Sequence, residues 1–354
     1  LLFSVIWGHA RHKLDIAMTI LKMDPAEYSV SAEYLALFLE VMSRRGIANE
    51  VLLSGTDIEP GCWRDPKARV TAQDFERVVM RGIQLSGEPW LGWELGAAMT
   101  ISSHGFLGYA AMSSATLGEA MELAVKYFRT RSTLVQLDIF TDGDMAVMQI
   151  DELLALGGLA PVMMESLFAS FHFMGQKLLP DMEIIGELRF TYPEPEYFAR
   201  MRPVMPVPVY FDCAYNQMRF PVERLDYELQ FADPRLARMA ADQCEQEMAS
   251  IKAPPALLGQ VRRIILGGGG RFPGVEEVAG ELHMSSRTLK RKLQQLGTSY
   301  QEVLDGLRKG LAVEYLTQTD KTVDEIAMSL GYSDASNFAR AFRRWTLRSP
   351  SDYR

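Results

Sequence analysis

The chain has 354 residues, 48% of them hydrophobic, enough to bury cores for two or three domains. No run is long and apolar enough to span a bilayer, and the three scattered thiols, Cys62, Cys213 and Cys244, have no metal-ligand spacing and cannot all pair within one chain, which fits a reducing cytoplasm. The net charge of −8 excludes a bulk positive field but is unevenly shared: residues 271–354 hold 13 Lys+Arg against 11 Asp+Glu (+2), leaving 24 against 34 (−10) for the rest. Any binding to phosphate would then have to come from locally clustered bases.

Taken in chain order, Leu1–Ala10 does not read as a signal peptide: its basic residues, Arg11 and Lys13, follow the apolar run and no small-residue cleavage site is evident. Residues 1–30 are left as an unassigned extension. Ser31 is placed to cap an amphipathic helix that Gly46 stops. After a short segment, Asn49 to Leu53, Thr71 starts a helical run over 72–85 that Gly87-Glu-Pro89 halts, and 90–96 follows as a third short helix. A stretch over 104–114 leads to Thr116, a cap for 117–128. Residues 134–140 alternate in a β manner, Thr141-Asp-Gly-Asp144 makes a hairpin-like turn, and 145–150 returns as the partner strand. Pro161 to Leu178 is a long apolar helix, and 187–192, 207–211 and 217–221 read as strands, the middle one at an edge because of its prolines. The economical reading is an α/β (α+β) regulatory domain over 31–232. A helical linker covers 233–256, interrupted at Lys252-Ala-Pro-Pro255, and an all-α domain occupies 257–354.

That last domain carries one pattern twice. Val275, Val278, Ala279, Leu282 and Met284 recur as Val323, Ile326, Ala327, Leu330 and Tyr332, every position offset by 48. Each copy has the spacing of a helix, a tight turn and a second helix started at a polar cap, a helix-turn-helix written twice. In the first second helix, Leu289, Leu293 and Leu296 face inward and leave Arg287, Lys290, Arg291 and Gln294 outside. In the other, Phe338 and Phe342 are the inward pair, and Ala335, Ser336, Asn337, Ala339, Arg340, Arg343 and Arg344 are candidates for the exposed, binding side. A linker helix over 300–316 carries Leu304, Leu307, Leu311 and Tyr315 at helical spacing. At 1.5 Å per residue it spans about 25 Å, suited to holding two helices in successive major grooves roughly 34 Å apart.

Residues 275–354, most plainly Gly331-Tyr-Ser-Asp-Ala-Ser-Asn-Phe-Ala-Arg-Ala-Phe-Arg-Arg-Trp-Thr346 followed by Ser349-Pro-Ser-Asp-Tyr-Arg354, resemble the DNA-binding domain of the AraC/XylS family of bacterial transcription regulators. The resemblance implies base reading by Arg287, Lys290 and Arg291 in one groove and by Ala335, Ser336, Ala339 and Arg340 in the next. Arg308, Lys309, Arg343 and Arg344 are assigned to the DNA backbone or in part to internal ion pairs. Two departures stand out: His283 occupies the position of the usual turn glycine, filled by Gly331 in the second copy, and Leu347 replaces another usual glycine. More loosely, Gly105-Phe-Leu-Gly-Tyr109 and Ser114-Ala-Thr-Leu-Gly-Glu-Ala120 resemble the helical-plus-β, arabinose-binding-type N-terminal domain of one branch of that family. The partners so implied are double-stranded DNA, a small-molecule effector, RNA polymerase if the protein is an activator, and a second copy in a homodimer. The variant reading is a ligand-independent regulator of the same fold.

Some residues stay open. Glu165 and His172, i and i+7 on the apolar 161–178 helix, fit an effector pocket, a subunit interface or an ordinary satisfied pair. Trp90 and Trp93 read as packing, and Gly267–Gly270 as an interhelical turn, since it lacks the Lys-Ser/Thr of a phosphate loop. The five histidines offer no metal spacing, so no metal and no cofactor is assigned. No Gly-x-Ser-x-Gly elbow is present, and the carboxylates of Tyr192-Pro-Glu-Pro-Glu196 have no positioned base. The chain therefore reads as a regulator and not an enzyme, the remote alternative being a catalytic site assembled from distant N-terminal residues.

Overall fold

The computed structural model describes residues 28–65, 67–179, 186–251, 257–267 and 272–353. The N-terminal extension up to residue 27, the Lys252–Pro255 joint and the glycines 268–270 lie outside the described residues.

Two three-residue strands, β1 (Ser29–Ser31) and β2 (Arg69–Thr71), pair antiparallel. Each ends in a hydroxyl that caps the next helix. Ser31 Oγ accepts from the Glu33 amide ahead of α1 (Ala32–Ser43); α2 (Asn49–Leu53) follows, and Thr71 Oγ1 accepts from Asp74 ahead of α3 (Ala72–Ser86), which ends at left-handed Gly87. Ser31 as a cap and Thr71 as a helix start are as the sequence indicates, whereas the ladder between them is not visible in it. Three residues are too few for a periodic signal.

Helices α4 (Leu91–Ala98), α5 (Gly105–Met112) and α6 (Leu117–Tyr127), the last capped by Thr116 as expected, lead into a five-stranded sheet. Its strands are β3 (Val135–Asp142), β4 (Met145–Glu152), β5 (Glu187–Arg189), β6 (Val209–Tyr210) and β7 (Asn216–Pro221), in the order β3-β4-β7-β5-β6. The β5–β6 pair is parallel and the others antiparallel. Asp142 opposite Met145 closes the hairpin over Gly143-Asp144, and proline-flanked β6 lies at the edge, both as the sequence indicated. The apolar helix α7 (Ala160–Leu178) crosses α4 closely. A Cβ at Gly96 would stand 2.4 Å from the Ser166 carbonyl oxygen, so only glycine allows that approach.

A one-turn helix α8 (Phe198–Met201) precedes the long α9 (Pro234–Ser250), capped by Asp233. The remaining elements are helical: α10 (Leu257–Gly267), α11 (Val275–Glu281), α12 (Ser286–Gln295), α13 (Tyr300–Gln318), α14 (Val323–Ser329) and α15 (Ala335–Thr346). The architecture is an N-terminal α/β domain and an all-α C-terminal domain in which α11–α12 and α14–α15 are the two helix-turn-helix units and α13 joins them. The first unit packs Val278, Ala279, Leu289 and Leu293 into a core continuous with that of the N-terminal domain. The second has its own cluster, Ile326, Ala327, Leu330, Phe338 and Phe342, built on Ala312, Val313 and Leu316 of α13.

The α13 helix also docks on the sheet. Lys309 Nζ lies 2.5 Å from Asp212 Oδ1, and Arg189 at the end of β5 donates to Glu314 Oε1 at 2.9 Å. Between them Gly310 presses on the backbone of Cys213 and Ala214, where a Cβ would come within 2.1 Å of the Ala214 Cα.

Candidate nucleic-acid interface and internal cavity

The outward faces of α12 and α15 follow from their caps and buried stripes. Ser285 Oγ accepts from the Thr288 amide at 3.2 Å and starts α12, Leu289 and Leu293 turn inward, and Arg287, Lys290, Arg291 and Gln294 are exposed. Asp334 Oδ1 accepts from the Asn337 amide at 2.7 Å to start α15. Ser336, Arg340, Arg343 and Arg344 are exposed there, whereas Ala335, Asn337 and Ala339 are half-buried. The Asn337 amide group is already occupied: Nδ2 donates to Ser333 Oγ at 2.9 Å and to Asp334, and Oδ1 accepts from the Arg340 guanidinium. Asn337 thus links the start of α15 to Arg340.

The basic residues assigned to the DNA backbone divide. Arg344 pairs with Asp305 of α13 at 3.2 Å, and Lys309 belongs to the interdomain contact. Arg308 stacks between Phe272 and Tyr332, its guanidinium carbon 4.8 Å and 5.0 Å from the ring centroids. Arg343 is exposed, and its charge acts on the Asp352 carboxyl.

Several acidic residues of this domain sit at helix starts. Glu277, Glu302 and Glu325 accept from the backbone amides of Gly274, Ser299 and Thr322 at 2.8, 2.6 and 2.7 Å. Hydrogen bonds from the Thr322 and Asn337 amides hold the Glu325 and Asp334 carboxyls below their usual range, so both stay ionised against the positive helix ends. These carboxylates are thereby kept on the caps, away from the outward bases of α12. The turn positions are left-handed in both copies, with φ 53° at His283 and 76° at Gly331, and Leu347 ends α15 at φ 63°. The two residues that stand for glycines have taken up the glycine conformation.

Within the N-terminal domain, helices α4 to α7 and strands β4, β5 and β7 border a partly open cavity of about 230 Å³, walled by Trp93, Leu107, Ala111, Phe168, Phe171 and Met218 among others. His172 lines it, and Glu165 does not. Glu165 is instead fully buried, with Oε1 accepting from the hydroxyls of Tyr192 and Tyr197. Burial raises its pKa to about 8 against the opposing effect of those hydrogen bonds, so the carboxyl is protonated at neutral pH. Two buried groups of this domain, His104 at the cavity and Arg131 away from it, have roles that the sequence does not show. His104 is bonded through Nδ1 to Tyr34 Oη at 2.7 Å and through Nε2 to Ser170 Oγ at 2.9 Å, and burial lowers its pKa to about 4, so it is neutral. Arg131 pairs with Glu33 of α1 and, at 2.7 Å, with Glu247 of α9. Their partners come from distant segments, and nothing in the local sequence marks them.

Comparison with known proteins places both domains. Residues 46–229 match the model of the arabinose-binding domain of AraC transcription regulators, and residues 278–354 match a helix-turn-helix domain. The chain belongs to the AraC family of transcription regulators. Among relatives of this AraC-family chain, the ornithine utilization regulator of Pseudomonas aeruginosa is 36% identical over 325 residues, 92% of this chain and 96% of that protein. An HTH-type transcriptional regulator of Mycobacterium tuberculosis is 30% identical over 346 residues, 93% of this chain and 97% of that one. A solved structure, the transcriptional regulator CdpR of P. aeruginosa, is 24% identical with a TM-score of 0.42 over 90% of this chain and 97% of that one. The protein is thus a DNA-binding transcriptional regulator. Among the described residues no helix is long and apolar enough to cross a membrane.

Proposed function

We propose that this regulator reads a two-part operator by laying α12 and α15 in successive major grooves, with α13 as the spacer. Arg287, Lys290, Arg291 and Gln294 meet base edges in the first groove; Ser336 and Arg340 do so in the second, with Ala335 and Ala339 against thymine methyl groups and Asn337 holding Arg340. Arg343 takes a phosphate, and Arg344 does so on leaving Asp305. What carries the reading is the exposed basic face of α12, whose Arg287, Lys290 and Arg291 have no ion-pair partner among the described residues. A bidentate Arg–guanine contact contributes about 1 to 3 kcal/mol of discrimination.

The N-terminal domain binds a small-molecule effector, and its occupancy changes either a homodimer or the placement of the C-terminal domain through α9 and α13. The action is activation, through contact with RNA polymerase, in the cytoplasm. Support for the dimer is the apolar surface at the start of α9, where Phe231, Leu236 and Met239 are exposed within nine residues. Selection of duplexes from a random pool by the full chain tests the reading. Enrichment of two elements one helical turn apart is expected, and recovery of a random pool would refute it.

A further inference from the structure

The cavity between α4–α7 and the sheet says what kind of effector it takes, an inference that rests on reading this domain as the effector domain. Its wall is aromatic and aliphatic over most of its extent, and its charged and imidazole side chains are largely engaged by groups outside it, Arg224 lying over the Tyr227 ring with its guanidinium carbon 5.8 Å from the centroid. Both ring nitrogens of His104 are used by Tyr34 and Ser170. Arg219 donates to Asp142 at 2.6 Å and to Gln217 at 3.2 Å, and Glu187 accepts from Arg189 at 2.7 Å. A sugar has a hydroxyl on nearly every carbon, and a zwitterionic amino acid has two full charges. Either would bury polar groups here without partners, which is unfavourable.

His172 and Gln176 differ. They lie i and i+4 on α7, both line the cavity, and neither bonds to another described side chain. Burial lowers the His172 pKa, so the pair presents a neutral imidazole and an amide, able to donate to or accept from one head group. At about 230 Å³ the space suits a small organic ligand and not a single water. We propose that the cavity binds a small, mostly apolar molecule with a single polar head, of the alkyl or aryl alcohol or carboxylic acid class, tail among Leu107, Ala111, Phe168 and Met218 and head at His172 and Gln176.

The test uses the full chain, with saturation-transfer NMR and titration of hexan-1-ol, octan-1-ol, octanoate and arabinose. Transfer to the methylenes of octan-1-ol or octanoate is expected, tightening roughly fourfold per added methylene until the space is full, with none to arabinose; comparing octan-1-ol with octanoate tells alcohol from acid. Ala111→Phe on α5 and Ala124→Phe on α6 fill the space from different walls, and each is expected to weaken octan-1-ol at least tenfold while keeping the wild-type far-UV spectrum and melting point. Unweakened octan-1-ol binding in a folded filling variant, binding of arabinose in place of the alkyl probes, or no binding of any probe would overturn the proposal. The same preparations are tried against the selected duplex. Duplex binding without probe binding sinks only the ligand inference, whereas absence of duplex binding sinks the regulator reading.

Discussion

Gly310→Ala perturbs the contact through which the two domains meet. The new Cβ would stand 2.1 Å from the Ala214 Cα and 2.2 Å from its amide nitrogen, both backbone atoms that no rotamer change can move. Carbon atoms settle about 3.5 to 4 Å apart, so α13 must retreat by roughly 1.5 Å. That stretches Lys309–Asp212 from 2.5 Å and Arg189–Glu314 from 2.9 Å past hydrogen-bonding range. At about 1 kcal/mol for each partly buried charged pair, docking weakens by about 2 kcal/mol, a roughly 30-fold shift toward the undocked arrangement. The helix-propensity gain of alanine over glycine, about 1 kcal/mol, acts in both arrangements and cancels. Hydrogen exchange followed by mass spectrometry should show faster exchange in peptides covering 209–216 and 309–316, with the core of α7 unchanged. Wild-type protection in both peptides would refute the reasoning.

Further substitutions test other parts of the account. Arg131, its side chain only 3% exposed, ties α1 to α9, so Arg131→Ala should cost about 3 kcal/mol in urea unfolding; a loss under about 1 kcal/mol would show that the pairs to Glu33 and Glu247 contribute little. Glu165 keeps its proton in the folded state up to about pH 8, against a usual value of 4.5, so the fold binds the extra proton and its contribution to stability, full below pH 4.5, is lost as pH rises toward 8. Glu165→Gln should flatten that slope in unfolding measured between pH 5 and 9, and an unchanged slope would reassign the titration. Leu347, 86% exposed at φ 63°, sacrifices no packing when replaced, so Leu347→Gly should gain the left-handed strain of about 1 to 2 kcal/mol less the 0.4 to 1 kcal/mol entropy of a glycine. A lower melting temperature in that variant would contradict the strain argument.

The parts of the molecule that the sequence disclosed are those whose causes are local. Each helix of the double motif carries its own cap and buried stripe within a dozen residues, so Ser285, Asp334, Leu289 and Phe338 could be placed by spacing alone. At His283 and Leu347 the family resemblance showed only that each stands where a glycine is usual; that both take the left-handed conformation comes from the structure. Glu165 and His172 show where spacing stops being enough. They share a helix face, but seven residues separate them by about 10.5 Å along the axis. One end meets the tyrosines at 192 and 197, the other the cavity. The need for glycine at 310 was not visible at all, because its cause is the backbone of Ala214, brought there only by the docking of α13 on the sheet.

In the proposed complex α12 and α15 read separate elements of one operator. Binding-site selection with the full chain, repeated for Arg291→Ala and Arg340→Ala, tests it directly. A wild-type motif of two elements about 10 base pairs apart is expected, with Arg291→Ala relaxing preference in one element and Arg340→Ala relaxing it in the other. Recovery of the unaltered wild-type motif by both variants would contradict it.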